Sequence, residues 1–521
     1  MDTNELIVKE ILKRRIKDSA GLALLKKEMA KKYRISMQKN VVLLQTYHKM
    51  IKNGIIGKKE KIESILRLKP VRSLSGVVNI SVLTKPYPCP GNCLFCPSEK
   101  GMPKSYLKNE PAVMRAVLNK FDPYKQVKMR LRALKDMGHN TDKVELRIIG
   151  GTFSFYPKKY QEDFIKKCLD AFNNFYSSNL EKAQGRNQKA KHRVVSVYIE
   201  TRPDFIDEQE IKRMRMLGVT GCELGVQSIY DDVLKKNRRG HSIKETVEAT
   251  KLLKDSGFKV CYQMMPNLYS STIKKDEKMF KELFRDERFK PDMLKIYPCV
   301  VLKDAPLFNL YKKNKYKPYE EEEMIKLIKK IKGGIPCYVR IQRLVRDIPQ
   351  NDIVAGLKVT NLRQILQDQK ISCKCIRCRE VRGDYSLNDK LILFRKDYAA
   401  SKGKEIFLSF ETKNREKLYS LLRLRIPSNI ISKQKHFLPV LDNAGIVREI
   451  HTYGLVKGIG QKGKHPQHQG LGKALLQEAE RIVKKEFKLK KIAVISAIGT
   501  KEYYRKKRYK EKNSYMVKDL S

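Results

Sequence analysis

The chain has no run of 18 or more apolar residues, which excludes a membrane-spanning helix of ordinary length. Its first residues, Met1-Asp-Thr-Asn-Glu5, lack the basic and apolar pattern of a secretory signal, so a cytoplasmic protein is expected. Acidic residues are in short supply. Only 57 Asp and Glu stand against 111 Lys and Arg in 521 residues, a net charge of +54. A lysine-rich compositional bias accounts for part of that excess, but its size implies a polyanionic partner, with nucleic acid first. No strong amphipathic basic helix with aromatic anchors accompanies it, which argues against a membrane surface. Cysteine is sparse as well, at 11 residues, and in a cytosol it stays reduced. Cys168, Cys222, Cys261, Cys299 and Cys337 are scattered through apolar segments and read as core.

The other six cysteines form two tight clusters. Cys89, Cys93 and Cys96 stand in a C-x3-C-x2-C spacing within Tyr87-Pro-Cys-Pro-Gly-Asn-Cys-Leu-Phe-Cys-Pro97. Three thiolates this close can hold three corners of a 4Fe-4S cluster. The fourth iron is then left to the amino and carboxylate groups of S-adenosylmethionine (SAM). Pro88, Pro90 and Gly91 impose an irregular loop that suits converging sulfurs and defeats a helix. A zinc loop is the bland alternative, but zinc sites usually pair their cysteines. The second cluster, Cys373, Cys375 and Cys378, offers three thiolates to a structural Zn2+ with a fourth ligand from elsewhere, any histidine being eligible; a second iron-sulfur cluster is the runner-up.

Four regions follow along the chain. Residues 1–75 are basic and helical in pattern, of a kind that contacts an RNA or DNA backbone, though nothing there reads bases. From 76 to 345, six apolar β-type runs alternate with helical stretches: Val77–Leu83, Val144–Ile149, Val194–Ile199, Gly221–Val226, Lys259–Met265 and Met293–Pro298. Repeated βα units predict a parallel sheet in a partial (βα)6 barrel, whose active site gathers at the C-terminal strand ends. Glu181–Arg193 reads as a solvated basic loop or a frayed helix end. Residues 346–400 form the candidate zinc-binding linker. Residues 401–521 read as another α/β unit, with strands Glu405–Phe410, Ile446–Ile450 and Ile492–Ile495. Gln467-His-Gln-Gly-Leu-Gly472 opens a helix there, presenting backbone N–H groups to a pyrophosphate. That order of strand, glycine turn, helix and strand suits an acetyl-CoA-binding acetyltransferase domain of the GNAT type.

The two signatures together, with Pro111–Ala116, Phe121–Tyr124, Gly150–Phe153, Ile199–Asp204, Glu223–Ser228, Cys375–Glu380, Arg448–His451 and Tyr503–Arg505, carry a resemblance. From about Ser75 to the C-terminus the chain resembles the catalytic subunit of Elongator and its archaeal relatives, the tRNA uridine carboxymethyl(acetyl)transferases, which combine radical SAM and GNAT domains. The resemblance implies an α/β enzyme that uses a SAM-derived radical and acetyl-CoA to place a carboxymethyl group on carbon 5 of the wobble uridine of tRNA. It implies that Cys89, Cys93 and Cys96 ligate the 4Fe-4S cluster, and that Lys143 and Tyr503 contact acetyl-CoA. Arg448, Glu449, Ile450 and His451, with Gly470, Leu471 and Gly472, would bind pantetheine and pyrophosphate. Tyr503 or Tyr504 would donate a proton to the departing thiolate, and Gly150, Gly151 and Glu200 would line the SAM pocket. The implied partners are tRNA and, beyond the lone chain, a homodimer or other Elongator-type subunits. A protein lysine acetyltransferase using the GNAT domain alone and a non-catalytic tRNA-binding scaffold are the competing readings. The chain departs from the resemblance where relatives commonly read Pro-Gly-Gly after the last cluster cysteine, here Pro97-Ser-Glu. It departs again where they read His-Met-Met-Pro-Gly-Leu-Pro-Gly, here Gln263-Met-Met-Pro-Asn-Leu-Tyr-Ser270. A third departure is Thr500-Lys-Glu502 in place of Val-Arg-Asn.

Overall fold

The computed structural model describes residues 2–16, 18–69, 72–383, 385–386, 388–454 and 470–521. Helices α1 (Thr3–Lys13), α2 (Ser19–Lys32), α3 (Asn40–Lys52) and α4 (Glu60–Leu66) open the chain and bury their own core, Ile7, Ile11, Leu25, Leu43 and Tyr47 among it. Asp2 and Asp18 cap α1 and α2, each side chain accepting from a backbone N–H of the first turn. This unit joins the rest of the chain through Leu68, whose N–H donates to Met137, and Arg67, which donates to Gly138.

The next segment is a seven-stranded parallel sheet in sequential order. Its strands are β1 (Val78–Leu83), β2 (Lys143–Ile149), β3 (Arg193–Thr201), β4 (Gly221–Gln227), β5 (Lys259–Met264) and β6 (Met293–Ile296), closed by Arg340–Arg343. The short β7 (Val301–Leu302) precedes that closing strand, β8, and pairs antiparallel with β9 (Ile353–Ala355). The six predicted strands are present, and β8 is an addition that the apolar pattern did not show. Helices cover the outer face of this sheet, its inner face lines a cavity, and the strands follow one another as repeated βα units require. The basic stretch Glu181–Arg193 is ordered, contrary to expectation. Asn179 caps the helix Leu180–Asn187, Ala183 and Asn187 are buried, and the Asn187 side chain bonds Val194 and His192.

The C-terminal sheet is mixed: β10 (Leu391–Ala400), β11 (Gly403–Thr412), β12 (Leu418–Ile426), β13 (Ala444–Thr452), β14 (Lys491–Val494), β15 (Lys510–Lys512) and β16 (Tyr515–Asp519), in the order β10-β11-β12-β13-β14-β16-β15. Period-2 alternation divides its side chains. Phe407, Leu421 and Ile446 join the core beneath the parallel sheet, while Ile406, Leu408 and Leu422 pack under the helix Leu471–Arg481 on the other face. One face of the mixed sheet thus docks on the N-terminal end of the barrel strands.

That interface is ionic as well as apolar. Arg448 Nη1 and Nη2 reach Asp292 at 3.0 and 2.5 Å, and Nη1 reaches Glu405 at 2.8 Å. Arg425 bonds Glu405 and Asp255, and Arg423 bonds Glu449. Burial alone would push the Asp292 carboxyl up, but Arg448, Lys254 and Arg423 hold it well below the usual range. Burial lowers Lys254 to about 8 against the pull of Asp292 and Glu405.

Candidate active site

Beyond β1 the prolines and Gly91 produce the expected loop, and the three cysteines come to the C-terminal ends of the barrel strands. Cys93 is buried, Cys96 half-buried and Cys89 exposed. All three line a cavity of about 940 Å³ that runs into the barrel. The Cys93 thiol is brought down to about 5, chiefly by its hydrogen bond with Cys96 and, against the cost of burial, by the Arg239 charge. Arg239 Nη1 lies 3.4 Å from Cys93 Sγ, and the Gly91 N–H lies 3.4 Å from Cys89 Sγ. Three thiols on one irregular loop, facing a cavity and met by N–H donors, fit a three-cysteine iron-sulfur cluster.

The other residues expected in the SAM pocket meet there too. Glu200, near the end of β3, accepts from Tyr106 Oη at 2.6 Å, Gln263 Nε2 at 3.1 Å and Gly150 N at 3.4 Å. Gly150 has φ +134, and a Cβ on it would stand 1.9 Å from Thr84 Oγ1; no other residue fits. Gly151, at φ +102, faces the same cavity. Deeper in the barrel, Glu223 is clamped between Arg147 and Lys295, while Glu145, despite a burial cost that would raise it, is brought down to about 2 by Arg147. Gln263 takes the place held by histidine in the resemblance and keeps a donor on Glu200. At the two glycine positions of that motif, Asn267 and Ser270 have φ +70 and +69. Asn267 secures this by donating from its side chain to Cys299 and accepting from the Tyr319 N–H.

The cavity extends to the mixed sheet, where Glu449, His451 and Tyr453 form part of its wall. A β-bulge on β13 directs them there: Val447 pairs with Leu424 and Glu449 with Arg423, leaving Arg448 as the extra residue. The Arg448 side chain is spent on the interdomain ion pairs, and that of Glu449 on Arg423. With their side chains so engaged, these two have backbone left to offer a cofactor, in keeping with a strand-edge role. His451 contacts the Ser75 carbonyl through Nε2 at 2.7 Å and stacks on Tyr453, and burial pushes its imidazole down.

On the opposite side of β13 a second constellation appears. β13 pairs with β14 only from Ala444 to Val447, so the two strands part beyond that point. Beside this parting starts the helix Leu471–Arg481, with Gly470 at its N-cap and φ +77. A Cβ on Gly472 would stand 3.4 Å from Tyr503 Oη and 3.8 Å from Ile450. Tyr503, 40% exposed, thus faces the helix start. Tyr504 points away, buried in the core against Tyr509, and burial pushes its hydroxyl well up; it does not share the site. Gln467–Gln469 of the glycine motif lie outside the described residues. Lys143 opens β2 opposite Arg193 at the end of the barrel facing this domain, and burial lowers its ammonium.

The Sγ atoms of Cys373, Cys375 and Cys378 lie within 4.8 Å of one another, and among the described residues no fourth Cys, His, Asp or Glu joins them at that distance. Mutual hydrogen bonding splits the three, pushing Cys375 down and Cys373 up. The donor set fits a soft or borderline metal such as zinc. Of the five cysteines read as core, four are buried; Cys337 is half-buried and lies beside Arg415. No helix among the described residues is long and apolar enough to cross a membrane.

The parallel half-barrel and its cysteine loop define a radical SAM protein. The Radical SAM superfamily profile matches residues 87–283, and that of the Radical SAM C-terminal domain residues 291–371. The chain is 44% identical to the tRNA uridine(34) acetyltransferase of Methanocaldococcus infernus, over 99% of this chain and 98% of the relative. It is 37% identical to human Elongator complex protein 3, over 87% and 86%. A solved structure of archaeal Methanocaldococcus infernus Elp3 with an N-terminal deletion superposes with a TM-score of 0.74 at 43% identity, covering 85% of this chain and 99% of that one. The chain belongs to the tRNA uridine(34) acetyltransferase and Elongator complex protein 3 family.

Proposed function

We propose that this protein modifies the wobble uridine of tRNA, installing a carboxymethyl group on carbon 5 with the help of SAM, a 4Fe-4S cluster and acetyl-CoA. The observation that carries the reading is a single cavity walled at one end by Cys89, Cys93 and Cys96 and at the other by His451 and Tyr453 of the second domain. Relatives named tRNA uridine(34) acetyltransferase support the substrate. So does the cavity rim, where Arg72, Arg115 and Arg130 carry no ion pair among the described residues. Burial and then the neighbouring charges of Arg115 and Arg72 lower Arg130 to about 10, a mutual repulsion that a phosphate among them would relieve.

When bound, the cluster with SAM supplies one-electron chemistry able to break an unactivated methyl C–H bond. The protein's own part is to hold and orient. Glu200, fixed by Tyr106, Gln263 and Gly150, presents a carboxylate to the SAM pocket. We read residues 401–521 as a GNAT domain, on the parting of β13 from β14, the bulge at Arg448 and the glycine-led helix between them. Backbone of Arg448–His451 and the N–H groups of Gly470–Gly472 would bind acetyl-CoA, with Lys143 approaching from the barrel. Tyr503 would give its proton to the departing thiolate. Residues 1–75 act as a basic tRNA-binding unit and 76–345 as the radical SAM domain, while 346–400 hold the zinc thiols and end in β10, which belongs to the C-terminal sheet; the protein works in the cytoplasm, alone, as a homodimer or with Elongator-type subunits.

The test is anaerobic incubation of reconstituted protein with tRNA, SAM, acetyl-CoA and dithionite, followed by mass spectrometry of the nucleosides. 5-Carboxymethyluridine with matching 5′-deoxyadenosine is expected. A protein with a full cluster that forms neither product refutes the reading and returns weight to lysine acetylation or a scaffold.

A further inference from the structure

Three glycines clear space for two guanidiniums immediately behind the cysteine loop. Arg239 lies across β4 with Nη2 on the Gly225 carbonyl at 2.5 Å and Nη1 on Cys93 Sγ at 3.4 Å. A Cβ on Gly225 would come within 2.6 Å of that Nη2. Arg202 follows β3 and is held bidentately by Asp204 at 2.9 and 2.6 Å. Cβ atoms on Gly91 and Gly240 would stand 2.4 and 3.0 Å from its Nη1 and Nη2. Arg202 is 5% exposed and Arg239 6%. Arg202 Nη1 is buried beside the loop with no hydrogen-bond partner, an expensive state for a charged donor unless something occupies the loop. Arg239 has no carboxylate partner among the described residues, so its charge is offset only by whatever the thiols hold. His241 beside them is pushed down to about 2, by burial and then by Arg239 and Arg202, and adds no third charge.

We propose that Arg202 and Arg239 are positioning residues for the iron-sulfur cluster, their Nη1 groups donating to its sulfurs and favouring electron uptake. The inference rests on the cluster assigned to Cys89, Cys93 and Cys96 above. One-electron reduction of a three-cysteine 4Fe-4S cluster, the electron coming from an external low-potential donor, adds one negative charge and breaks no bond. One buried cation at hydrogen-bonding distance of Cys93 and a second against Gly91 of the same loop stabilise the more negative form, and low local polarity enlarges the effect. Arg239, lacking an acidic partner, contributes more than Arg202, which Asp204 partly neutralises. If Arg239 served only to tie down the Gly225 carbonyl, removing its charge would leave cluster reduction unchanged.

The experiment uses full-length protein reconstituted anaerobically, its iron and sulfide quantified, and the reduced cluster followed by electron paramagnetic resonance during a dithionite titration without SAM. In Arg239→Met the reduced-to-oxidised ratio at a fixed potential falls about tenfold, a downward shift of about 59 mV for one electron. Arg239→Lys, which keeps the charge, stays within about threefold of the parent, and Arg202→Gln falls about threefold. Equal midpoints in all variants carrying a full cluster overturn the proposal. If Arg239→Met takes up no iron, Arg202→Gln against the parent decides. If every variant, Arg239→Lys included, remains empty while the parent fills, the arginines assemble the loop and do not set its reduction, which also overturns the proposal. A parent that takes up no iron at all refutes the cluster reading itself, a result separate from any difference between variants.

Discussion

Arg448→Met tests the ionic clasp between the two domains. Arg448 is fully buried between Asp292 of the barrel and Glu405 of β11, each at most 1% exposed, and Asp292 also accepts the Val260 N–H. Methionine keeps most of the side-chain volume but strands Asp292, while Glu405 keeps Arg425 at 2.9 Å. Lys254 and Arg423 stand 3.9 and 3.7 Å from Asp292 and compensate only in part. Truncating one partner of a buried pair costs about 3–5 kcal/mol, and one stranded acid with two cations near it places this variant in the lower part of that range. The pH dependence has a definite sign. In the parent the Asp292 carboxyl is held below its unfolded value, so its contribution is present above pH 4 or so and is lost only in stronger acid. In the variant burial dominates, the carboxyl rises above its unfolded value, and the ionised form becomes the costly one. The deficit is therefore largest near pH 8 and narrows as the pH falls below about 6. Urea unfolding of parent and variant at both pH values, followed by near-UV circular dichroism, measures it. Asp292→Asn added to Arg448→Met recovers part of the loss because one stranded charge is gone. A loss under about 1 kcal/mol, or a deficit that does not move with pH, would refute the clasp.

Four further outcomes follow from the geometry. Cys93→Ala abolishes nucleoside modification in the mass-spectrometric assay but leaves tRNA binding, read by filter retention, within about threefold, since binding rests on distributed cations. Gly150→Ala forces a Cβ to 1.9 Å from Thr84 Oγ1 at φ +134, and differential scanning fluorimetry detects a destabilisation of about 2 kcal/mol or more. Ser270→Gly relieves a φ of +69 and stabilises the protein by about 1 kcal/mol in the same assay; an unchanged melting point counts against strain at that turn. Tyr503→Phe, whose hydroxyl faces Gly472, lowers the rate of CoA release in a thiol assay by about tenfold or more, while Tyr504→Phe affects stability before rate.

The parts of the molecule legible in the sequence are those whose chemistry is local. Cysteine spacing announced both thiol clusters, and β-branched and apolar residues, alternating with polar ones in β1 and β2, announced β1 to β6, because their outer faces pack under the helices. β8 reads Arg-Ile-Gln-Arg and carries its polar side chains into the barrel, so it offers no apolar run. β10 was hidden for the opposite reason: at the sheet edge most of its residues are exposed, and it pairs with only one neighbour. β12 is buried along its whole length yet includes Arg423 and Arg425, whose partners Glu449, Glu405 and Asp255 are supplied by distant segments. The same distance hid Arg202 and Arg239. Each stands far along the chain from the cysteines it faces, and the only local trace is glycine at 91, 225 and 240, where a side chain would collide with a guanidinium.

The placement of charge explains how the cysteine loop and the mixed sheet can face one cavity. The barrel opens its cysteines at the C-terminal strand ends, while the mixed sheet docks at the N-terminal ends, so the two stations would be separated by the thickness of a packed core. Here the barrel interior is not filled with aliphatic side chains. It is polar, with Glu145, Arg147, Glu223 and Lys295 neutralising one another around an open cavity. A lumen lined by charged pairs stays wet, and it can be kept only if something else holds the domains together. The bulge at Arg448 does both jobs. It sends one arginine into the interdomain clasp and turns Glu449 and His451 toward the cavity, so loosening the clasp should misplace the far wall of the site. Arg448→Met is therefore expected to slow modification more than it weakens tRNA binding, a split that a purely structural clasp away from the cavity would not produce.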